Sequence, residues 1–167
     1  MGRASTRENK NIYQTTREAA GELLESIPPE RMEKIENERS LPHPDEVLTM
    51  AEKYKQPGLC NYYCANQCPI GQEYVPEVKI KDLSQIVLEM LASLNSMNRR
   101  KDRLIEITVD GVISDDELED FIRIREELER ISIAVETLQL WSERMLATGA
   151  INAEQYEAYE RRRAERD

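Results

Sequence analysis

Apolar positions follow two patterns along the chain, divided near residue 58. Before it, short helical stretches alternate with proline and glycine breaks. Residues 11–20, NIYQTTREAA, predict a first helix that Gly21 can end. Residues 22–26, ELLES, predict a helical fragment too short to stand alone. Ile27-Pro28-Pro29 breaks the chain and opens a helix running to about Glu38, since proline suits the first turn. Leu41 to Pro44 form a connector. Pro44-Asp45-Glu46 then opens another helix to about Tyr54, with Val47, Leu48 and Ala51 inward. Pro57-Gly58 closes this stretch.

Farther on, the pattern becomes long and periodic. Leu83, Val87, Met90, Leu94, Met97 and Leu104 recur at alternating steps of four and three, with Lys101 filling one slot. Phe121, Ile124, Leu128, Ile131, Val135, Leu138 and Met145 continue a similar seam. This spacing lays apolar residues in one stripe, as in a coiled coil. Two such helices joined by a short turn pack antiparallel. Ser114 with Glu117 supplies a capping box at the second helix's start, and Gly149 ends it. Asn152 with Gln155 caps a last helix that ends in YERRRAERD. Nowhere does a run of alternating β-branched residues predict a strand.

Composition agrees with helix: Leu, Glu, Ile, Arg and Met dominate, and 34% of residues are charged. The net charge is −10. It is unevenly spread: residues 1–60 hold nine Lys/Arg against eleven Asp/Glu, the rest fourteen against twenty-two, together 23 and 33. The acidic excess thus lies mainly in the C-terminal part, where it suits a basic or protein partner. The N-terminal arm MGRASTRENK is polar and basic and reads as no secretion signal. No apolar run is long enough to span a membrane. Three cysteines, an odd number, fit free thiols or a metal in a reducing cytoplasm.

Residues 11–58 resemble the XRE/Cro-like helix-turn-helix family. The matching residues are Arg17, four before Gly21, then IPPERMEKIENERSLP and PDEVLTMAEKY. The resemblance implies that Arg17 pairs with Glu36 of the recognition helix. Ile27, Met32 and Ile35 match core positions, Pro42 matches the proline after the recognition helix, and Leu48 and Ala51 match the next helix's core. It further implies that Glu30, Arg31, Glu33, Lys34 and Arg39 lie near DNA, with Arg3, Arg7 and Lys10 of the arm available to a minor groove. One part of the pattern is missing. Only Glu22–Ile27 separates Gly21 from Pro28, where the family places most of its second helix. Either the form is truncated there or a stretch is missing from the numbered chain.

The expected fold is therefore all-α. A small helix-turn-helix-like bundle with a polar arm spans residues 1–58. A cysteine-bearing connector follows over 59–80. A long antiparallel helical hairpin with a short C-terminal helix spans 81–167.

Candidate chemistry is sparse. CNYYCANQC carries Cys60, Cys64 and Cys68 at steps of four, along one face of a helix. With His43, the only histidine, they form a candidate Cys₃His zinc set. Against this, the outer pair would stand about 12 Å apart on a straight helix. The alternative is three small buried thiols beside Tyr62 and Tyr63. ITVDGVISDDELEDF resembles the second half of an EF-hand loop, but Glu106 and Thr108 stand where calcium ligands are wanted. An Asp110-Gly111 turn before a capped helix explains the same letters. No nucleophile set or phosphate loop is present, and no enzyme is expected. The expected function is a cytoplasmic DNA-binding regulator of the XRE type, a homodimer reading an operator. The alternative is an acidic helical interaction protein that binds another protein through residues 81–147, such as a phage- or mobile-element-encoded inhibitor of a nucleic-acid enzyme.

Overall fold

Asn11 opens the first helix and Gly21 closes it. In the computed structural model, which describes residues 10–21 and 24–165, Asn11 Oδ1 accepts the Gln14 N–H at 3.0 Å. Gly21 takes the left-handed φ of 67° that lets the chain turn away. The helix between them, α1, spans Ile12–Ala20. Of the expected fragment over 22–26, residues 22 and 23 lie outside the described residues, and Leu24 to Pro28 is turn rather than helix. That turn leads into α2, Pro29–Glu36. That helix stops before Glu38, whose φ of 56° no right-handed helix accommodates. α3 spans Pro44–Lys53, and the Glu46 carboxylate accepts the His43 N–H at 2.7 Å across its first turn.

These helices close on Tyr13, Ile27, Met32, Ile35, Val47, Met50, Ala51, Tyr54 and Leu59. Each large side chain so buried contributes about 1.5–3 kcal/mol. Leu48 departs from expectation: it is 62% exposed, and Met50 takes the inward place. The period of the helix explains this, because 47, 50, 51 and 54 share one face and 48 does not.

The stretch 59–80, expected as a connector, forms two further helices, α4 (Gly58–Asn66) and α5 (Pro69–Tyr74). Leu59 belongs to the core above, and Cys60, Tyr62 and Tyr63 pack against it. Tyr62 meets Tyr13 edge to face at 6.2 Å, and the Tyr13 hydroxyl donates to Gln67 Oε1 at 2.8 Å. α4 therefore extends the N-terminal bundle instead of leaving it. α5 presses on α4 at Gly71, which has no room for a side chain: a Cβ there would stand 2.6 Å from the Cys64 carbonyl carbon and closer still to its oxygen.

The described residues up to Glu77 group with those from Ser142 onward as one unit, and Val78–Trp141 forms a second. The second unit is built on α6 (Leu83–Ile107) and α7 (Leu118–Ala147), whose last turns, from Ser142, fall in the first unit. α6 and α7 pack against each other, and Arg103 Nε donates to Asp120 Oδ2 at 2.7 Å across the pair. The turn between them carries Gly111 at φ 74°, with Asp110 Oδ1 accepting the Val112 N–H. Glu117 accepts from both the backbone and the hydroxyl of Ser114, so the Ser114 hydroxyl donates to the glutamate rather than accepting from the helix. After Gly149, Asn152 caps α8, Ala153–Ala164, which buries no residue.

The seam of the hairpin differs from the expected one. Ile86 and Ile107 are buried on α6, with Met90, Ser93, Met97 and Leu104 half-buried between them. Leu83, Val87 and Leu94, expected in the seam, are exposed, as are Leu128 and Val135 of α7. The apolar arc of α6 is wider than one seam, and a single neighbouring helix covers only part of it. The described residues are all-helical, with eight helices and no strand, and none of those helices is long and apolar enough to cross a membrane.

Candidate nucleic-acid interface

α2 is the helix expected to face DNA, and ion pairs hold it at both flanks. On one side Arg17 of α1 grips Glu36 through Nε to Oε1, and through Nη2 to Oε2 at 3.0 Å. Glu36 is buried, and its partner is held charged, with the arginine pushed above its ordinary value by that carboxylate. The expected Arg17–Glu36 pair is thus formed.

On the other side stands a pair that spacing alone did not suggest. Arg31 Nε and Nη2 donate to the two oxygens of Glu46 at 2.8 and 2.7 Å. Arg31 also donates to the Ser40 hydroxyl at 2.6 Å and to the Leu41 carbonyl at 2.9 Å. The hydrogen bonds from Arg31 hold the Glu46 carboxyl below its usual value, and the His43 N–H adds to this. Such a bidentate pair fixes both partners in one geometry. Arg31, expected near DNA, is half-buried and serves as a clamp between α2, the connector and α3. The only sequence signal for Glu46 is its place in the first turn after His43-Pro44.

The remaining expected residues are on the surface. Glu30, Glu33, Lys34 and Arg39 are exposed. The Arg39 N–H caps the Lys34 carbonyl at 2.9 Å, which holds the end of α2 closed. Lys10 of the arm pairs with Glu18 of α1, whereas Arg3 and Arg7 lie outside the described residues. The face carries more carboxylate than amine at its centre, with its cations toward the C-terminal end.

The thiols do not gather. Cys60 and Cys64 share α4, but Cys68 sits at the start of α5, where the chain has turned. Among the described residues no three His, Cys, Asp or Glu side chains form a group able to hold a metal ion, so Cys60, Cys64, Cys68 and His43 are not brought together. Burial, then Cys64 and Glu143, pushes the Cys60 thiol above its ordinary value. That is the opposite of what a nucleophilic thiol needs.

The hairpin holds one further feature, a cleft of about 400 Å³ between α6 and α7. Ala92, Ser93 and Ser96 leave the space, and Glu127, paired with Arg130 at 2.9 Å, borders it. No family model, curated protein or solved structure matches the chain.

Proposed function

We propose that the chain is a DNA-binding regulator, as its resemblance to XRE/Cro-like helix-turn-helix proteins implies, with α2 facing the DNA. The observation that carries this reading is the double clamp on α2. The link after Gly21 has no room for the family's second helix, which would brace the recognition helix from behind. Arg17–Glu36 and Arg31–Glu46 hold α2 from both flanks instead. The exposed Lys34 and Arg39 supply phosphate contacts, and Glu30 and Glu33 can accept from cytosine N4.

So few cations make binding modest and steep in salt only to the extent of the phosphates they neutralise. Two contacts give a slope of log K against log salt of about −1.8. The test is fluorescence anisotropy with random DNA and with the DNA upstream of the gene, at two salt concentrations. Site-selective, salt-sensitive binding is the expected result, and no binding at low salt rejects the reading.

A second reading is supported by the exposed leucines of α6 and the net charge of −10. In it the chain is an acidic helical interaction protein that engages another protein through the hairpin. Recovery of one stoichiometric protein partner by the full chain, with no DNA binding, would favour it.

A further inference from the structure

α8 buries no residue, and Ala158 is the one position in it that is even half-buried. Its side chains still sort by chemistry. A helix advances about 100° per residue, which puts Gln155, Tyr156, Tyr159, Arg162 and Arg163 within an arc of about 120°. All five are exposed, Tyr159 at 68%. The carboxylates of the helix, Glu154, Glu157 and Glu160, lie outside that arc. Glu160 comes nearest, about 40° beyond the edge at Tyr156. Arg161 falls among the carboxylates, its Nη1 3.8 Å from Glu157 Oε2. Arg162 and Arg163 form no ion pair among the described residues. Instead the Arg162 guanidinium stacks over the Tyr159 ring, 4.9 Å from its centre. That contact holds the guanidinium by its flat face and leaves its N–H edge able to donate.

Every polar side chain on the arc is a donor. Guanidinium, phenol hydroxyl and amide are the groups that bind phosphate oxygens, and no carboxylate stands among them to repel a phosphate. The helix dipole favours cations near a C-terminal end. It acts along the axis, however, and does not sort residues around it. The occupant that suits the arc is therefore anionic and rich in acceptors. A nucleic-acid backbone is both along its whole length, with one negative charge per about 1.7 Å of duplex axis. From Gln155 to Arg163 the arc extends about 12 Å, the axial length of about three phosphates of one strand. α8 also belongs to the same compact unit as α2, the helix whose centre carries more carboxylate than amine.

We propose that this arc of α8 is a second contact with DNA, one that grips the backbone and reads no base. The inference rests on the DNA-binding reading and adds to it the cations that α2 lacks. Arg162 and Arg163 each neutralise a phosphate, and Gln155, Tyr156 and Tyr159 donate to neighbouring phosphate oxygens. With Lys34 and Arg39 of α2, four phosphates are neutralised. The slope of log K against log salt is then about −3.6, where α2 alone gives about −1.8.

The full chain is titrated into labelled duplex DNA of random sequence, and anisotropy is followed from about 50 to about 200 mM salt. Arg162→Gln with Arg163→Gln should flatten the slope by about 1.8 and lower affinity at least about 10-fold at the lowest salt. Glutamine is a good helix former and α8 buries nothing, so helix content by circular dichroism should be that of wild type. If the glutamine pair loses helix, Arg162→Ala with Arg163→Ala replaces it. Arg162→Lys with Arg163→Lys keeps both charges and should keep the slope. Arg161→Gln removes a charge from the other side of the helix and should leave slope and affinity as they are. Wild-type binding that the glutamine or alanine pair leaves unchanged overturns the inference, lets the DNA-binding reading stand and returns the arc to an acidic protein. A loss from Arg161→Gln as large per charge also overturns it, since net charge alone would then explain the effect. A wild-type chain that binds no duplex at low salt rejects the DNA-binding reading and this inference with it.

Discussion

Arg31→Ala separates two roles that one arginine in a DNA-facing helix can have. If Arg31 served phosphate, its loss would weaken DNA binding and leave the fold alone. The geometry gives the opposite expectation. The side chains of Arg31 and Glu46 are 21% and 15% exposed, so the pair is neither a surface ion pair, worth about 0–1 kcal/mol, nor a fully buried one, whose breaking costs about 3–5 kcal/mol. Truncation also removes the bonds to Ser40 and Leu41 and leaves the Glu46 carboxylate with the His43 N–H. The expected loss is about 2–3 kcal/mol, a roughly 30- to 150-fold fall in the ratio of folded to unfolded chains. Urea unfolding followed at 222 nm reads it as a midpoint lowered by about 1 M or more.

Two controls tie the loss to the pair. Glu46→Gln should be non-additive with Arg31→Ala by at least about 1 kcal/mol, because both remove one interaction. The pH dependence has a fixed sign. Arg31 holds the Glu46 carboxyl below its ordinary value, so the stabilisation is present above the unfolded glutamate value of about 4.3. It disappears as pH falls through the lower folded value. The gap between wild type and Arg31→Ala should therefore be full at pH 7 and shrink on acidification below about pH 4. A loss under about 0.5 kcal/mol, the size of an ordinary surface change, or a gap that does not vary with pH, would refute the clamp.

Gly71→Ala should cost at least about 1–3 kcal/mol in the same urea assay, since the added carbon meets the backbone of Cys64; a neutral result means that α5 does not press on α4. Lys34→Ala with Arg39→Ala should weaken DNA binding and flatten its salt slope by about 1.8, with the urea midpoint unchanged; unaltered affinity in anisotropy removes both from the interface. Cys60 should react with iodoacetamide more slowly at neutral pH than an unperturbed thiol, because burial raises its pKa; faster labelling in a mass-spectrometric time course contradicts that environment.

Helix ends were legible in the sequence wherever one residue decides them. Asn11, Gly21, Pro29, Pro44 and Asn152 act through their own side chain or their own φ, and the helices begin and end beside them. Faces were less legible. Leu48 and Met50 are both apolar, and which turns inward depends on the phase of α3 against α1 and α2, a tertiary matter. α6 shows the same limit more sharply. Leu83, Val87 and Leu94 form as good a heptad stripe as Ile86, Ser93 and Leu104, and a stripe in a sequence says nothing about how many neighbours there are to cover it. The Arg31–Glu46 pair was not legible for another reason: its partners stand fifteen residues apart on different helices, and no periodicity links them.

Pairing between distant helices bears on the missing second helix. A helix-turn-helix needs its recognition helix held rigidly, and packing by a neighbouring helix is one way to do that. Side-chain pairs are another. Six residues between Gly21 and Pro28 cannot supply a helix with a face to bury, but Glu36 reaches back to α1 and Arg31 reaches forward to α3. Rigidity gained this way uses up cations. Arg31 is tied to Glu46, and an α2 face already carrying Glu30 and Glu33 keeps Lys34 and Arg39 toward one end. Such a unit binds phosphate weakly as a single copy. Two copies joined through the hairpin would double the contacts, and linkage would convert the second encounter into an intramolecular one.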